Sequence, residues 1–133
     1  MNKFQPFVGE LTKLAKATGV PDLIEQLKTA QEKGEAIIYS EPHIGFLAVK
    51  PTFRDDELVL FVWVGISRMT NGLKHGVRMC QQMASETACK AVEFETSRKG
   101  FKRIAGRMGF IPKARRNQFI TYRKEVNNGR WWR

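Results

Sequence analysis

The sequence predicts an α/β (α+β) protein with a central mixed sheet of about six strands and helices on both faces. Two observations carry that prediction. The first is Leu58–Ile66 (LVLFVWVGI), an almost unbroken run of β-branched, aromatic and leucine side chains, which is how a strand covered on both faces reads. The second lies immediately downstream. A polar, glycine-containing loop (Ser67–Gly76) leads into apolar residues at Leu73, Val77, Cys80, Ala84, Ala88 and Ala91, spaced by three and four as on one helix face. The strand-like Ala91–Thr96 comes next, and a strand–helix–strand unit of this length predicts a right-handed crossover between parallel strands. The loop would then lie at the carboxyl end of a central strand and the amino end of a helix, where unpaired N–H groups and the helix dipole favour an anion such as phosphate.

The other elements can be placed in chain order. Phe7–Ala17 places Phe7, Leu11, Leu14 and Ala15 on one helical stripe, with Gly19 as a stop. Pro21 opens a second helix whose Leu23, Ile24 and Leu27 face inward until Lys33 and Gly34 end it. Glu35–Ser40 and Ile44–Pro51 are strand-like, and the polar turn TFRDDE joins them to Leu58–Ile66 in an antiparallel meander. After Ala91–Thr96, Ser97 caps a further helix with Phe101, Ile104 and Met108 inward and Gly109 as its stop. Ile111 and Phe119–Val126 close the sheet across a basic turn, PKARRN, and 127–133 (NNGRWWR) reads as a flexible tail on a single domain, 1–133.

The charge is unevenly placed. From Arg98 to Arg133 there are twelve Lys and Arg and one acid, Glu125, for +11; with a total of +10, the first 97 residues carry −1. A polyanionic ligand or partner (phosphorylated cofactor, nucleic acid, acidic protein surface) is one reading, and a solvated face that maintains solubility is the other. No apolar run approaches the ~20 residues that cross a bilayer, and the N-terminus lacks a signal-peptide core, so a cytoplasmic protein is expected. Cys80 and Cys89 fall on one predicted helix, too far apart for a disulfide, and with two histidines in the chain there is no metal-site signature; buried reduced thiols are expected. His75 in the loop could touch an anion or stand exposed in a first helical turn, and Trp63 reads as core rather than substrate platform.

The order helix–helix–three strands–helix–strand–helix–strand resembles the GNAT superfamily of N-acetyltransferases. The likeness rests on FVWVGIS, on AVEFET followed by SRKGFKRIAGRMGF, and on the closing FITYRKEV, and its layout spans residues 21 to 126. The short GNAT-like proteins encoded by bacteriophages look the most similar, which would place the protein in a host cytoplasm or a virion. The resemblance implies a V-shaped cleft between the strands 58–66 and 91–96, holding acetyl-CoA as acyl donor for an amine-bearing small molecule or protein. Cofactor contacts would fall on Val62, Val64, Gly65, Ile66, Arg68, Asn71, Gly72, Lys74 and Gly76, with Gly65 at the strand's bulge. The general base would be Glu93 or Glu95, which alternation puts on one strand face, or Glu57. Two departures from the family pattern are visible. Neither RMTNGL nor LKHGVR completes the glycine-rich pyrophosphate signature, and Ala105 occupies the position where many members carry a tyrosine general acid.

A second reading is a catalytically degenerate GNAT-fold phage protein that binds nucleic acid or a host or virion protein through its basic C-terminal third, with Trp131 and Trp132 stacking on bases. A third is a small virion structural component. Backbone attraction without base readout would give salt-sensitive, nonspecific affinity.

Overall fold

The computed structural model describes residues 2–70, 72–98 and 100–126. A 3-10 turn, Gln5–Phe7, leads into α1 (Val8–Thr18) and α2 (Leu23–Glu32); then come β1 (Ile37–Glu41), β2 (Gly45–Arg54), β3 (Glu57–Ser67), α3 (Gly72–Glu86), β4 (Ala91–Thr96), α4 (Phe101–Arg107), β5 (Ile111–Arg116) and β6 (Phe119–Glu125). The six strands form one mixed sheet in the order β1-β2-β3-β4-β6-β5, in which β3 and β4 are the parallel pair. The mixed six-strand fold predicted from the sequence is the fold observed.

Two apolar layers sandwich the sheet. On one face the 3-10 turn, α1 and α2 bury Phe7, Leu11 and Leu27 against Phe46, Ala48 and Val64. On the other, α3 and α4 bury Cys80, Ala84 and Ala105 against Val49, Leu60, Val92 and Tyr122. Here Phe94 forms an aromatic group, stacked with Tyr122 at 5.3 Å and edge-on to Phe101 and Phe110. Both cysteines are buried in this layer, and neither forms a disulfide. Burial pushes the Cys80 thiol up to about 12, so the neutral form prevails. No helix among the described residues is long and apolar enough to cross a membrane.

Several expected boundaries move. Thr52, Phe53 and Arg54 belong to β2 rather than to a turn; the reversal is made by Asp55 and Asp56 alone, both at positive φ, as a tight hairpin with strand-matching twist requires. Lys113–Arg116, expected in a turn, are part of β5. That strand is an edge whose residues are all exposed, so neither face imposes the apolar alternation by which a strand is recognised. Ser97 does not cap α4: its N-cap is Gly100, without a side-chain bond. Ile104 is 38% exposed rather than inward, and Ala88 lies beyond the end of α3 at positive φ. The expected tail 127–133, with Trp131 and Trp132, lies outside the described residues.

Candidate functional site

The site begins with an irregularity in β3. Along β2 and β3 the pairing runs Val49↔Val62 and then Ala48↔Val64, so Trp63 is an extra residue with no cross-strand partner, a β-bulge. Below it, Leu58, Leu60 and Val62 pack with the α3/α4 layer; at and above it, Trp63, Val64 and Ile66 pack with the α1/α2 layer. The bulge therefore sits at Trp63 and not at Gly65, which is exposed and pairs regularly with Leu47. An apolar run wanted on both faces hides such a switch from the sequence.

The bulge coincides with a parting of the sheet. β3 pairs with β4 only from Val59↔Ala91 to Val62↔Phe94. Beyond that point β3 continues to Ser67 against β2, while Glu95 and Thr96 of β4 remain paired with Thr121 and Ile120 of β6. A fork thus opens between Trp63–Ser67 and Glu95–Thr96, and alternate backbone groups of this part of β3 face the opening without a neighbouring strand. At the closed end, the Lys90 N–H donates to Leu58 O at 2.7 Å.

At the open end the chain turns sharply into α3. Ser67 Oγ accepts from the Met69 N–H at 3.3 Å and donates to Met69 O at 3.2 Å, and the Gly72 N–H donates to the same carbonyl. A Cβ at Gly72 would lie 1.5 Å from Ser67 Oγ and 2.6 Å from Ser67 Cβ, so only glycine brings the helix start this close to the strand end. Gly45 serves the same end from β2, because a Cβ there would lie 2.3 Å from Ile66 O.

The loop is shorter than the sequence implies. α3 starts at Gly72, so the N–H groups of residues 72–75 are the first-turn donors without intrahelical acceptors, and Gly76 falls just past them with open space around its Cα. Lys74 and Arg78 are exposed on one helical face. Asn71 lies outside the described residues.

Arg68 is placed differently from expectation. Its guanidinium donates to Glu10 at 2.7 and 2.8 Å and to the carbonyls of Pro42 and Pro6 at 2.7 and 2.6 Å, and it lies 4.0 Å from the Phe7 ring centroid. Its own N–H donates to Ile44 O. Arg68 therefore ties the end of β3 to α1 and is turned away from the fork. The hydrogen bond from Arg68 holds the Glu10 carboxyl below its ordinary range and raises the guanidinium in turn.

The two candidate bases differ sharply. Glu93 is fully buried among three cations: its Oε2 accepts from Lys113 at 3.0 Å and Arg123 at 3.1 Å, and its Oε1 lies 3.3 Å from Arg54 Nη1 without the alignment of a hydrogen bond. Arg123 also donates to Glu57 at 2.8 Å and to Glu125, whose bond heads the causes that raise the guanidinium. Glu93 is thus the centre of a buried ion cluster joining the β2–β3 hairpin tip to β5 and β6, and Glu57 belongs to the same cluster. This corrects the expectation of a base at either residue: their oxygens face protein cations, not the fork. Glu95 stands at the fork itself, partly exposed, with Arg116 at 3.1 Å and Thr121 Oγ1 at 3.5 Å. Ala105 is buried in α4, so no hydroxyl enters the site from that position.

One feature of the site is not visible in the sequence. Trp63 is partly exposed, the Lys50 Nζ lies 4.3 Å from its ring centroid, and the indole forms one wall of a cavity against α2. Its place in an apolar run favours a core assignment, and its proximity to the polar stripe of α2 depends on the fold.

No protein-family model matches the sequence, and no curated protein matches it. Solved structures do. An acetyltransferase of the GNAT family from Listeria monocytogenes is 14% identical, with a TM-score of 0.63 over 88% of this chain and 84% of that one. The aminoglycoside 6'-acetyltransferase type Ii is 10% identical, with a TM-score of 0.64 over 94% of each chain. The PaiA N-acetyltransferase from Thermoplasma acidophilum, in complex with coenzyme A, is 10% identical, with a TM-score of 0.61 over 84% of this chain and 74% of that one. The chain has the fold of the GNAT acetyltransferases.

Proposed function

We propose that the protein is an acyl-CoA-dependent N-acyltransferase with acetyl-CoA as donor and the β3/β4 fork as its active site. The observation that carries this reading is the end of β3–β4 pairing at Val62↔Phe94, directly beside a glycine-tightened helix start. The Thermoplasma neighbour with this fold holds coenzyme A. The residues fit the cofactor: a strand edge without a partner suits a pantetheine arm, and the close approach of Gly72 to Ser67 sets the first turn of α3, whose N–H groups suit a diphosphate, at the end of that edge. Val64, Gly65 and Ile66 supply that edge just beyond Val62, the last residue paired with β4; the first-turn residues after Gly72 supply the amides, and Lys74 supplies positive charge. Arg68 and Gly76 have no part in it.

Coenzyme A, when bound, supplies the acyl group as an activated thioester. Glu95 accepts the proton of the attacking amine, directly or through water, because it is the carboxylate that reaches the fork with exposure to solvent. Arg116 and Thr121 orient it. The experiment is calorimetric titration of coenzyme A into the wild type and a Lys74→Ala/Arg78→Ala variant. Saturable binding weakened about tenfold by the double substitution supports the site; no heat at millimolar coenzyme A overturns it.

A second reading, binding through the basic C-terminal third, is favoured by β5, an exposed edge with Lys102 and Arg115 around a ≈340 Å³ cavity against Tyr122. Retardation of DNA or RNA in a gel, abolished by salt above about 0.3 M, tests it.

A further inference from the structure

The ≈340 Å³ cavity beside β5 lies between α4 and the β5–β6 hairpin. In the sheet order β3-β4-β6-β5 it is on the far side of β4 from the fork. Lys102 reaches it from α4, and Lys113 and Arg115 from β5, while Pro112, Ile120 and Tyr122 give it an apolar wall; among the described residues no acidic side chain lines it. Lys113 is already met by Glu93 at 3.0 Å. Among the described residues no carboxylate lies within ion-pair distance of Lys102 or Arg115. Two positive charges thus stand around a hollow without a counter-charge, and a concave surface concentrates their field.

A second, independent observation comes from the sheet side. Tyr122 is 1% exposed and its ring is held by stacking on Phe94 at 5.3 Å. Among the described residues nothing is hydrogen-bonded to its hydroxyl, yet the one side-chain polar atom found both sealed and unpartnered is Glu93 Oε1. The Tyr122 hydroxyl therefore keeps its small exposure, at the cavity that the residue lines. A buried hydroxyl with no protein partner makes its bond to whatever enters beside it. The cavity thus has a fixed, neutral donor at its inner end and two mobile cations at its rim.

We infer that this cavity binds a phosphate monoester. Such a group has three terminal oxygens and a charge near −2 at neutral pH, which matches the two uncompensated cations. The Arg115 guanidinium engages two oxygens as a fork, and the Lys102 ammonium and the Tyr122 hydroxyl share the third. Pro112 and Ile120 cover the organic part of the ester. The inference deepens the reading of a basic binding surface at β5, on which it rests, by naming the group that enters. A phosphodiester backbone carries single charges spaced along a line and is met by cations spread over a surface. A hollow with a hydroxyl at its inner end suits one terminal dianion instead.

The test titrates phenyl phosphate into the full chain at neutral pH and low salt, followed by calorimetry and by the phosphorus resonance of the ligand. Saturable binding is expected, weakened about fivefold by Tyr122→Phe, which removes the hydroxyl and keeps the ring, and about tenfold by Lys102→Met/Arg115→Met. Benzenesulfonate, with three oxygens but a single charge, should bind more weakly than the monoester. Lys102 and Arg115 are exposed, so the double variant serves should Tyr122→Phe not fold. No heat at millimolar phenyl phosphate, or equal affinity in the wild type and both variants, overturns the inference. Short DNA strands with a 5′-phosphate or a 5′-hydroxyl distinguish the sources of the group. Tighter binding of the phosphorylated strand, lost in Tyr122→Phe, puts a strand end in the cavity; a response to phenyl phosphate without retardation of either strand leaves a site for a small ester and removes the nucleic-acid reading. Equal retardation of both strands without a phenyl phosphate response removes the monoester site and leaves the backbone reading. Dephospho-coenzyme A carries the diphosphate and pantetheine but no monoester, so phenyl phosphate should bind equally in its presence; displacement by it would assign the cavity to the cofactor and overturn the inference.

Discussion

Ser67 and Gly72 are locked together: the serine Oγ stands where a β-carbon of residue 72 would have to be, 1.5 Å from it. Serine Cβ lies 2.6 Å from the same point, so a change of serine rotamer cannot relieve the conflict. Gly72→Ala should therefore displace the start of α3 and cost about 1–3 kcal/mol in chemical denaturation. Adding Ser67→Gly should recover most of the loss, a coupling that a double-mutant cycle measures directly.

The ion cluster around Glu93 should divide its members by burial. Arg123→Leu removes one of the hydrogen bonds to a fully buried carboxylate and should cost about 3 kcal/mol or more by urea denaturation. Arg116→Ala breaks a pair whose arginine side chain is 74% exposed and should cost less than about 1 kcal/mol.

The Glu10–Arg68 pair predicts an acid limb. The folded carboxyl titrates below its ordinary value of 4.5, so the stabilisation is present in full above the unfolded value and is lost as pH falls through the folded one. The melting temperature of the wild type should fall more steeply below about pH 4.5 than that of Glu10→Gln, and the two curves should converge at the acid end.

Cys80 should resist alkylation in the folded protein. Its thiol is pushed from 9.0 to about 12 by burial, which lowers the thiolate fraction about a thousandfold. Cys89 is fully buried beside Thr87, 3.1 Å away. Mass spectrometry after iodoacetamide at neutral pH should find both unmodified, and both carbamidomethylated once the chain is unfolded in urea.

Much of this architecture is legible in the chain because burial writes periodicity into sequence. The β3 run, the part of the α3 stripe at Val77, Cys80 and Ala84, and the Gly19 stop each answer to one dominant constraint and lie where it puts them, whereas Leu73 is exposed and Ala88 and Ala91 fall beyond the helix. β5 is illegible because an edge strand of basic residues has no buried face to impose alternation. The strand-to-helix loop after β3 can be read from its polarity but not its length, since the helix start at Gly72 depends on the contact with Ser67. Arg68 and Glu93 mislead for a related reason: a charged residue near a site reads the same whether it meets a ligand or the protein's own counter-charges. Glu10 is distant from Arg68 in sequence, as Arg54 and Arg123 are from Glu93. Glu95 differs from its strand neighbour only because β4 extends past its last pair with β3.

In the ladder between β2 and β3, residue 63 is surplus: removing it would leave every remaining side chain on the side of the sheet it now occupies. What would vanish is the added twist that steers β3 away from its parallel neighbour. One inserted amino acid thus coincides with the point where β3 and β4 part, and shortening the chain by that residue is the smallest edit that should bring the two strands together again.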